Sequence, residues 1–219
     1  MSSLTWSHTI TSANKIVVMV GIGDGAPGTL SSVTFNSLAL TYVGGQTDTN
    51  PWCRVETWER HTPSVATANV VVTAGSTMDQ LAAGATGFID AATALGTPST
   101  KADATTNPNV TVVDTANGDI VVSVVSLDGS TPATTPGGTQ LWEFENLAAD
   151  IDVNAQRQTA SGANTVCSWT NSETVGNHYA AMGVAVKAAT AGTAGLFRGN
   201  PMSGLGAGGP FFADPLTGV

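Results

Sequence analysis

Apolar residues along this chain recur mostly with a period of two. Leu4, Trp6, His8 and Ile10 alternate with polar neighbours, which predicts a strand with one buried face. Lys15 to Ile22 is a near-continuous apolar run and predicts a central strand buried on both faces. Val33 to Phe35 and Leu38 to Val43 flank Asn36-Ser37 and read as a hairpin. Trp52 to Arg60 and Ala68 to Thr73 follow as strands. Asn109 to Thr115 and Asp119 to Leu127 flank Ala116-Asn117-Gly118, which reads as a second hairpin. Gln140 to Glu145 sets Trp142 and Phe144 on one face and Glu143 and Glu145 on the other. Thr165 to Thr170 and Tyr179 to Val186 complete about ten strands.

This spacing, rich in Val and Thr between Gly, Pro, Asn and Asp, predicts an all-β fold: an antiparallel β-sandwich or jelly roll of about ten strands with an extended C-terminal arm. Residues 128 to 138, DGSTPATTPGG, read as a loop at one end of the sandwich. One segment is ambiguous. Met78, Leu81, Ala85, Phe88, Ala92 and Leu95 fit helical spacing, and Thr77 with Gln80 resembles a capping box. Gly84 and Gly87 would weaken such a helix by roughly 1 kcal/mol each. No repeat of fixed period is evident.

Periodicity stops near Lys187, so the chain divides into a sandwich domain, 1–187, and an arm, 188–219. The arm holds eight glycines and three prolines. Glycine-rich backbone loses the most entropy on ordering, so an ordered arm needs a neighbour to hold it. Its apolar plugs are Leu196-Phe197 and Phe211-Phe212, with Arg198 as a charged pin. These five residues are the candidate partner-binding set, and Phe197, Phe211 and Phe212 are expected to be buried against another chain.

Composition narrows the function. The chain has 219 residues, 42% of them hydrophobic, enough for a substantial core. Charged residues are only 11%, against roughly 25% in an ordinary soluble domain. A Thr/Ser-rich, uncharged surface is common in extracellular and virion β-proteins and rare in cytosolic enzymes. The net charge is −9, and Lys15, Arg54, Arg60, Lys101, Arg157, Lys187 and Arg198 are scattered. No basic cluster exists to neutralise phosphates, which argues against nucleic acid and against an anionic membrane as partners. No apolar run is long enough for a transmembrane helix. MSSLTWSHTI lacks the pattern of a secretory leader, so folding in a cytoplasm is expected. Cys53 and Cys167 are accordingly read as buried free thiols, with one inter-strand bridge as the other possibility.

The order LTWSHTI, ANKIVVMVGI, SSVTFNSLALTYVGG, CRVETWER, ATANVVVTAGS, AAGATGFIDAATALGTPST and DTANGDIVVSVVS resembles a β-sandwich module of phage and metagenomic virion structural proteins. The resemblance spans about residues 4 to 187 and rests on structural motifs. It favours a strand for residues 81 to 90. It implies a subunit of capsid decoration, or cement, type, located in the virion and made in the host cytoplasm. Its partners would be the major capsid protein or other virion subunits, and further copies of itself in a homo-oligomer.

Motifs that could carry chemistry have simpler readings. Gly21-Ile22-Gly23-Asp24-Gly25-Ala26 matches a dinucleotide fingerprint, but Pro27-Gly28 and a strand signal follow where a helix should start. His8, His61 and His178 lie at no metal-ligand spacing, and His8 reads as a core or interface residue. Glu143 and Glu145 share a strand face, whereas a glycosidase needs carboxylates opposed across a cleft. Glu56 and Glu59 alternate with Arg54 and Arg60 and read as members of cross-strand ion pairs. Asp24, Asp48, Asp79, Asp90, Asp128, Asp150 and Asp152 lie in or near predicted loops, and Asp150-Ile151-Asp152 reads as a solvated acidic turn or the best Ca²⁺ pair. Trp6, Trp142 and Trp169 are expected in the core; Trp52 and Trp58 could be exposed. The reading is a non-enzymatic virion building block without a cofactor or metal. The alternative is a carbohydrate- or receptor-binding β-sandwich module of a phage tail or fibre.

Overall fold

The structure is a computed structural model that describes residues 2–23, 25–105, 107–128, 134–146, 151–171, 177–189 and 199–200. Its first half carries β1 (Ser3–Ile10), β2 (Lys15–Gly23), β3 (Leu30–Phe35), β4 (Leu38–Ala39), β5 (Thr41–Thr47), β6 (Cys53–His61), β7 (Ala66–Ala74) and β8 (Gln80–Phe88). The second half carries β9 (Ser99–Thr105), β10 (Asn109–Val113), β11 (Ile120–Asp128), β12 (Thr134–Pro136), β13 (Thr139–Asn146), β14 (Ile151–Thr159), β15 (Asn164–Asn171) and β16 (Asn177–Val186). A two-residue strand, β17 (Gly199–Asn200), follows. The described residues form no helix, and all the strand pairs are antiparallel.

The all-β expectation therefore holds, but the architecture is not one sandwich of about ten strands. The described residues make four sheets, ordered β1-β7-β3-β4, β17-β8-β2-β6-β5, β10-β15-β12 and β13-β14-β11-β16-β9. The first two sheets enclose one apolar cluster built on Trp6, Ile16, Val18, Val20, Phe35, Val70 and Val72. The last two enclose another, built on Val110, Val121, Val125, Cys167, Trp169 and Tyr179. A third cluster joins the two five-stranded sheets face to face, with Val17, Met19 and Val55 against Val122, Val153 and Met182. The molecule is two sandwiches stacked into four layers.

The two sandwiches are the same unit built twice. The pairs β1–β7, β3–β7, β2–β6, β2–β8 and β5–β6 recur as β10–β15, β12–β15, β11–β14, β11–β16 and β13–β14. Even the outermost place recurs: β9 lies beside β16 as β17 lies beside β8. A bulge interrupts β5 between Tyr42 and Gly44, opposite Trp58 and Thr57. Its counterpart interrupts β13 between Gln140 and Trp142, opposite Gln156 and Ala155. The registers run from β5 to β8 and from β13 to β16 without a net insertion or deletion between equivalent strands. This repeat was not evident in the sequence because few equivalent residues coincide; Val55 with Val153 and Ala82-Ala83 with Ala180-Ala181 are among those that do.

Burial explains the strand compositions. β2 is buried at every residue because one face meets its own sandwich and the other meets the second unit. β8 is small and apolar for the same reason, which resolves the ambiguous segment as a strand from Gln80 to Phe88. The Asn36-Ser37 turn has φ of 51° and 61°, the left-handed pair a tight two-residue hairpin needs. The second predicted hairpin is corrected. Ala116–Gly118 does turn, with the Asp119 N–H donating to the Ala116 carbonyl at 3.0 Å, but β10 and β11 enter different sheets. The predicted loop at 128–138 contains β12, and the predicted acidic turn at Asp152 lies in β14, a central strand.

Close approach of the units depends on two glycines of β2. A Cβ on Gly21 would lie 2.4 Å from Val153 Cγ1, and one on Gly23 would lie 2.2 Å from Ile151 Cδ1. Gly21→Val should therefore cost about 1–3 kcal/mol in urea unfolding through overpacking. Val153→Ala in the same chain should recover most of that loss; an unchanged midpoint for Gly21→Val alone would disprove the close approach.

Candidate functional site

Each sandwich contains a strand that turns polar side chains inward. In β14 these are Asp152, Asn154, Gln156 and Gln158, of which the first three are buried. Each bonds across to the facing small sheet. Thr134 Oγ1 donates to Asp152 Oδ2 at 2.8 Å. Trp169 Nε1 donates to Asn154 Oδ1 at 3.1 Å, and Asn154 Nδ2 donates to the Thr134 carbonyl at 3.3 Å. Gln156 accepts from the Gly138 N–H at 2.6 Å and donates to the Ser168 carbonyl at 3.0 Å. Gln158 Nε2 donates to the Val166 carbonyl at 2.7 Å. These bonds supply partners to buried polar groups that would otherwise cost about 1–3 kcal/mol each.

The equivalent strand β6 does the same with charged groups. Glu56, 1% exposed, accepts from the Leu30 N–H at 3.3 Å, Arg54 Nε at 2.8 Å and Trp58 Nε1 at 3.1 Å. Arg60 reaches the Ala39 carbonyl at 2.9 Å. Glu59 instead pairs with the fully buried Lys15, which also donates to the Thr93 carbonyl at 2.8 Å. The expected cross-strand ion pair thus forms at Glu59, with Lys15 of β2, whereas Glu56 pairs with Arg54 along its own strand.

Three carboxyl groups gather at one end of the second unit. Glu143 and Glu145 on β13 stand in register with Asn154 and Asp152 on β14. Asp152 has no exposed surface, and its Oδ1 has no hydrogen-bond partner. Burial pushes its carboxyl up to about 8, the Thr134 hydroxyl opposes the shift, and Glu143 and Glu145 add to it. Burial also raises Glu143, against hydrogen bonds from Gln140 and Asn154. Among the described residues no group of three or more His, Cys, Asp or Glu is arranged to hold a metal ion. Asp152 is sealed from any substrate, so its proton serves the fold.

A second cluster bridges the units. Asp48 Oδ1 accepts from the Asn50 N–H at 2.8 Å and lies 3.3 Å from His178 Nδ1. Cys53 Sγ donates to the Ser126 carbonyl at 3.2 Å. Burial pushes the Cys53 thiol well up, and Asp48 adds to that. A nucleophilic cysteine needs the opposite shift, so this thiol is a packing group. Both cysteines are free and buried; burial also raises Cys167, to about 11. His8 is 1% exposed and packs edge-on against Phe35. Trp6, Trp142 and Trp169 are core residues, Trp58 is 9% exposed, and Trp52 is 46% exposed.

Leu196, Phe197, Arg198, Phe211 and Phe212, the arm residues predicted to bind a partner, lie outside the described residues. The described chain nonetheless returns to the first unit after the second. Ala188 bridges Ala91, the Ala189 N–H donates to the Asp90 carbonyl at 2.8 Å, and Gly199 and Asn200 pair with Phe88 and Gly87. The edge they join is β8. Sequence reasoning missed it, because nothing in a run of small residues distinguishes an edge from a centre. No protein-family model, curated protein or solved structure matches the chain significantly.

The protonated Asp152 makes stability depend on pH. The unfolded carboxyl loses its proton near 4 and the folded one near 8, so the folded state holds the extra proton between those values. This contribution is complete below about pH 4 and is lost as pH rises through about 8. Asp152→Asn should flatten the fall in unfolding free energy between pH 5 and pH 9, measured by urea titration. An equal slope in both proteins would show that Asp152 is ionised in the fold.

Proposed function

We propose that the protein is a structural subunit of a virus particle, of capsid decoration type, that binds the particle and neighbouring copies through its C-terminal segment. The observation that carries this reading is the path of the chain beyond the second unit. It returns to the β8 edge at Gly199–Asn200, and the sequence then continues through a Gly- and Pro-rich stretch that holds Phe211 and Phe212. Supporting it is the low content of charged residues; a likeness of residues 4 to 187 to virion sandwich modules, read from sequence motifs, is part of the proposal. A stacked pair of sandwiches is a body with extensive buried surface, suited to presenting such a segment. Leu196, Phe197 and Arg198 belong to the same proposed contact, made with the major capsid protein or other virion subunits. Ordering the segment costs roughly 1–2 kcal/mol per residue, so many symmetric copies and avidity are part of the proposal.

Each buried phenylalanine contributes about 1.5–3 kcal/mol. Phe211→Ser with Phe212→Ser should then weaken binding to particles stripped of the subunit by at least roughly 100-fold, with an unchanged unfolding midpoint. Co-sedimentation measures this, and undiminished binding by the double variant would refute the role given to the segment.

One observation favours a second reading, recognition of a carbohydrate or receptor on a tail or fibre. Trp52 is 46% exposed in the β5–β6 loop, and its ring faces Gly25, from which an added Cβ would lie 3.4 Å. An exposed indole is a platform on which a sugar face can stack. Under this reading a glycan array gives signals that Trp52→Ala removes; a silent array for the parent protein rejects it.

A further inference from the structure

Two exposed aromatic side chains lie close to one arginine of the first unit. Among the described Trp, Tyr and Phe residues only Tyr42 and Trp52 are exposed, each 46%. Tyr42 lies on β5, the outermost strand of its sheet, and Trp52 immediately precedes β6. Arg54 links them. It stands two residues after Trp52, and its Nη2 lies 3.5 Å from Tyr42 Oη.

The groups are held in place. A Cβ on Gly45 would lie 2.9 Å from Tyr42 Oη and 2.7 Å from the Val55 carbonyl oxygen, so a glycine is needed for the phenol to lie along β5. The Tyr42 ring packs edge-on against Trp58, with centroids 5.2 Å apart. The Trp52 ring rests at Gly25, where an added Cβ would lie 3.4 Å from Cζ3. Arg54 donates through Nε to Glu56 at 2.8 Å and through Nη1 to Thr47 Oγ1 at 2.6 Å. Groups fixed before a ligand arrives lose less entropy on binding it. Sandwich architecture does not require this arrangement. By the shared registers the second unit has Gln140, Glu143 and Asp152 at the places of Tyr42, Gly45 and Arg54.

We propose that Trp52, Arg54 and Tyr42 form a binding strip for a neutral oligosaccharide. The assignment rests on the carbohydrate reading of Trp52 and extends it to a second platform and a polar group between the two. Aromatic faces pack on the C–H faces of pyranose rings, while a few fixed polar groups orient the hydroxyls. Arg54 Nη2 and the Tyr42 hydroxyl are those groups. Burial pushes the Tyr42 phenol up, Glu56 adds to the shift and Arg54 opposes it, so the phenol keeps its proton to donate.

Size and charge select the ligand. From Trp52 to Trp58, beside Tyr42, the chain advances about 20 Å, and two strands are about 10 Å wide, giving roughly 200 Å². A stable protein interface buries about 800 Å² on each partner, so the strip suits a short linear ligand. Arg54 is already paired with Glu56, and the chain carries a net charge of −9, which disfavours carboxylated or sulfated sugars.

The full chain is tested on an array of neutral and acidic oligosaccharides, with a proline decamer as the competing linear ligand. Neutral oligosaccharides should give the signals. Titration of those glycans should show Trp52→Ala and Tyr42→Ala each weakening binding about tenfold or more. Tyr42→Phe keeps the contact with Trp58 and should weaken binding several-fold through the lost hydroxyl, with an unchanged unfolding midpoint. Signals that Trp52→Ala removes and both Tyr42 variants leave intact overturn the strip but spare the carbohydrate reading. A silent array overturns both. Signals confined to acidic glycans overturn the neutral class, and binding of the proline decamer alone assigns the rings to a peptide and overturns the proposal.

Discussion

The fold depends on one contact, the packing of two five-stranded sheets against each other. It buries β2, β8, β11 and much of β14 and β16 on both faces, so these strands cannot show the half-polar alternation of an ordinary sandwich. Gly21 and Gly23 permit it by giving Val153 and Ile151 room. Each sandwich alone would leave Val17, Met19 and Val55, or Val122, Val153 and Met182, facing water. At about 25 cal/mol per Å² of apolar surface, neither unit would tolerate that exposure well. The two units are therefore interdependent despite having separate inner cores.

Burial on both faces creates the need for the inward polar ladders. A sandwich closed by apolar packing alone can slide by two residues with little loss, because the contacts are similar at each step. Asn154 and Gln156 remove that freedom, since each is satisfied only where Thr134, Trp169, Gly138 and Ser168 meet it. Such networks add specificity when complete and cost stability where a member is unpaired. Asp152 Oδ1 is the unpaired member, and holding a proton is the least costly state for a carboxyl with no exposed surface. In the first unit Arg54 stands at the position equivalent to Asp152 and pairs with Glu56, so that position carries an ion pair there.

These ladders also determine what could be read from the sequence. Strands whose inward residues are apolar, such as β1 with Leu4, Trp6 and Ile10, were legible residue by residue. β14 was not, because periodicity assumes that buried means apolar, and Asp152, Asn154 and Gln156 violate that rule. At Ala116–Gly118 the turn chemistry was real, but a local turn does not specify which sheet the next strand joins. The repeat escaped notice because it conserves burial and register rather than residue type: Trp58 answers to Gln156, and Gly84 to Met182. The phenylalanines of the proposed contact can be read from the sequence; the β8 edge that Gly199 and Asn200 join became visible only from strand order.

Duplication raises the question of why unlike units pair rather than two copies of the same one. The contact between the units answers it through a difference in volume. Where β14 meets β2, Val153 and Ile151 fill the space above Gly21 and Gly23. In the exchanged arrangement β6 meets β11, where Cys53 donates to the Ser126 carbonyl. Cys53 is the equivalent of Ile151, by their shared places at the ends of β6 and β14. Two first units placed face to face would set Cys53 above Gly23, a small side chain over a missing one, and leave a void. Voids lined by such groups cost about 24 cal/mol per Å³. Two second units would bring the bulk of Ile151 onto a strand with no glycine at the matching positions, Ser126 and Asp128. Each like pairing is thus penalised, one by emptiness and one by overlap, and the pairing of unlike units avoids both.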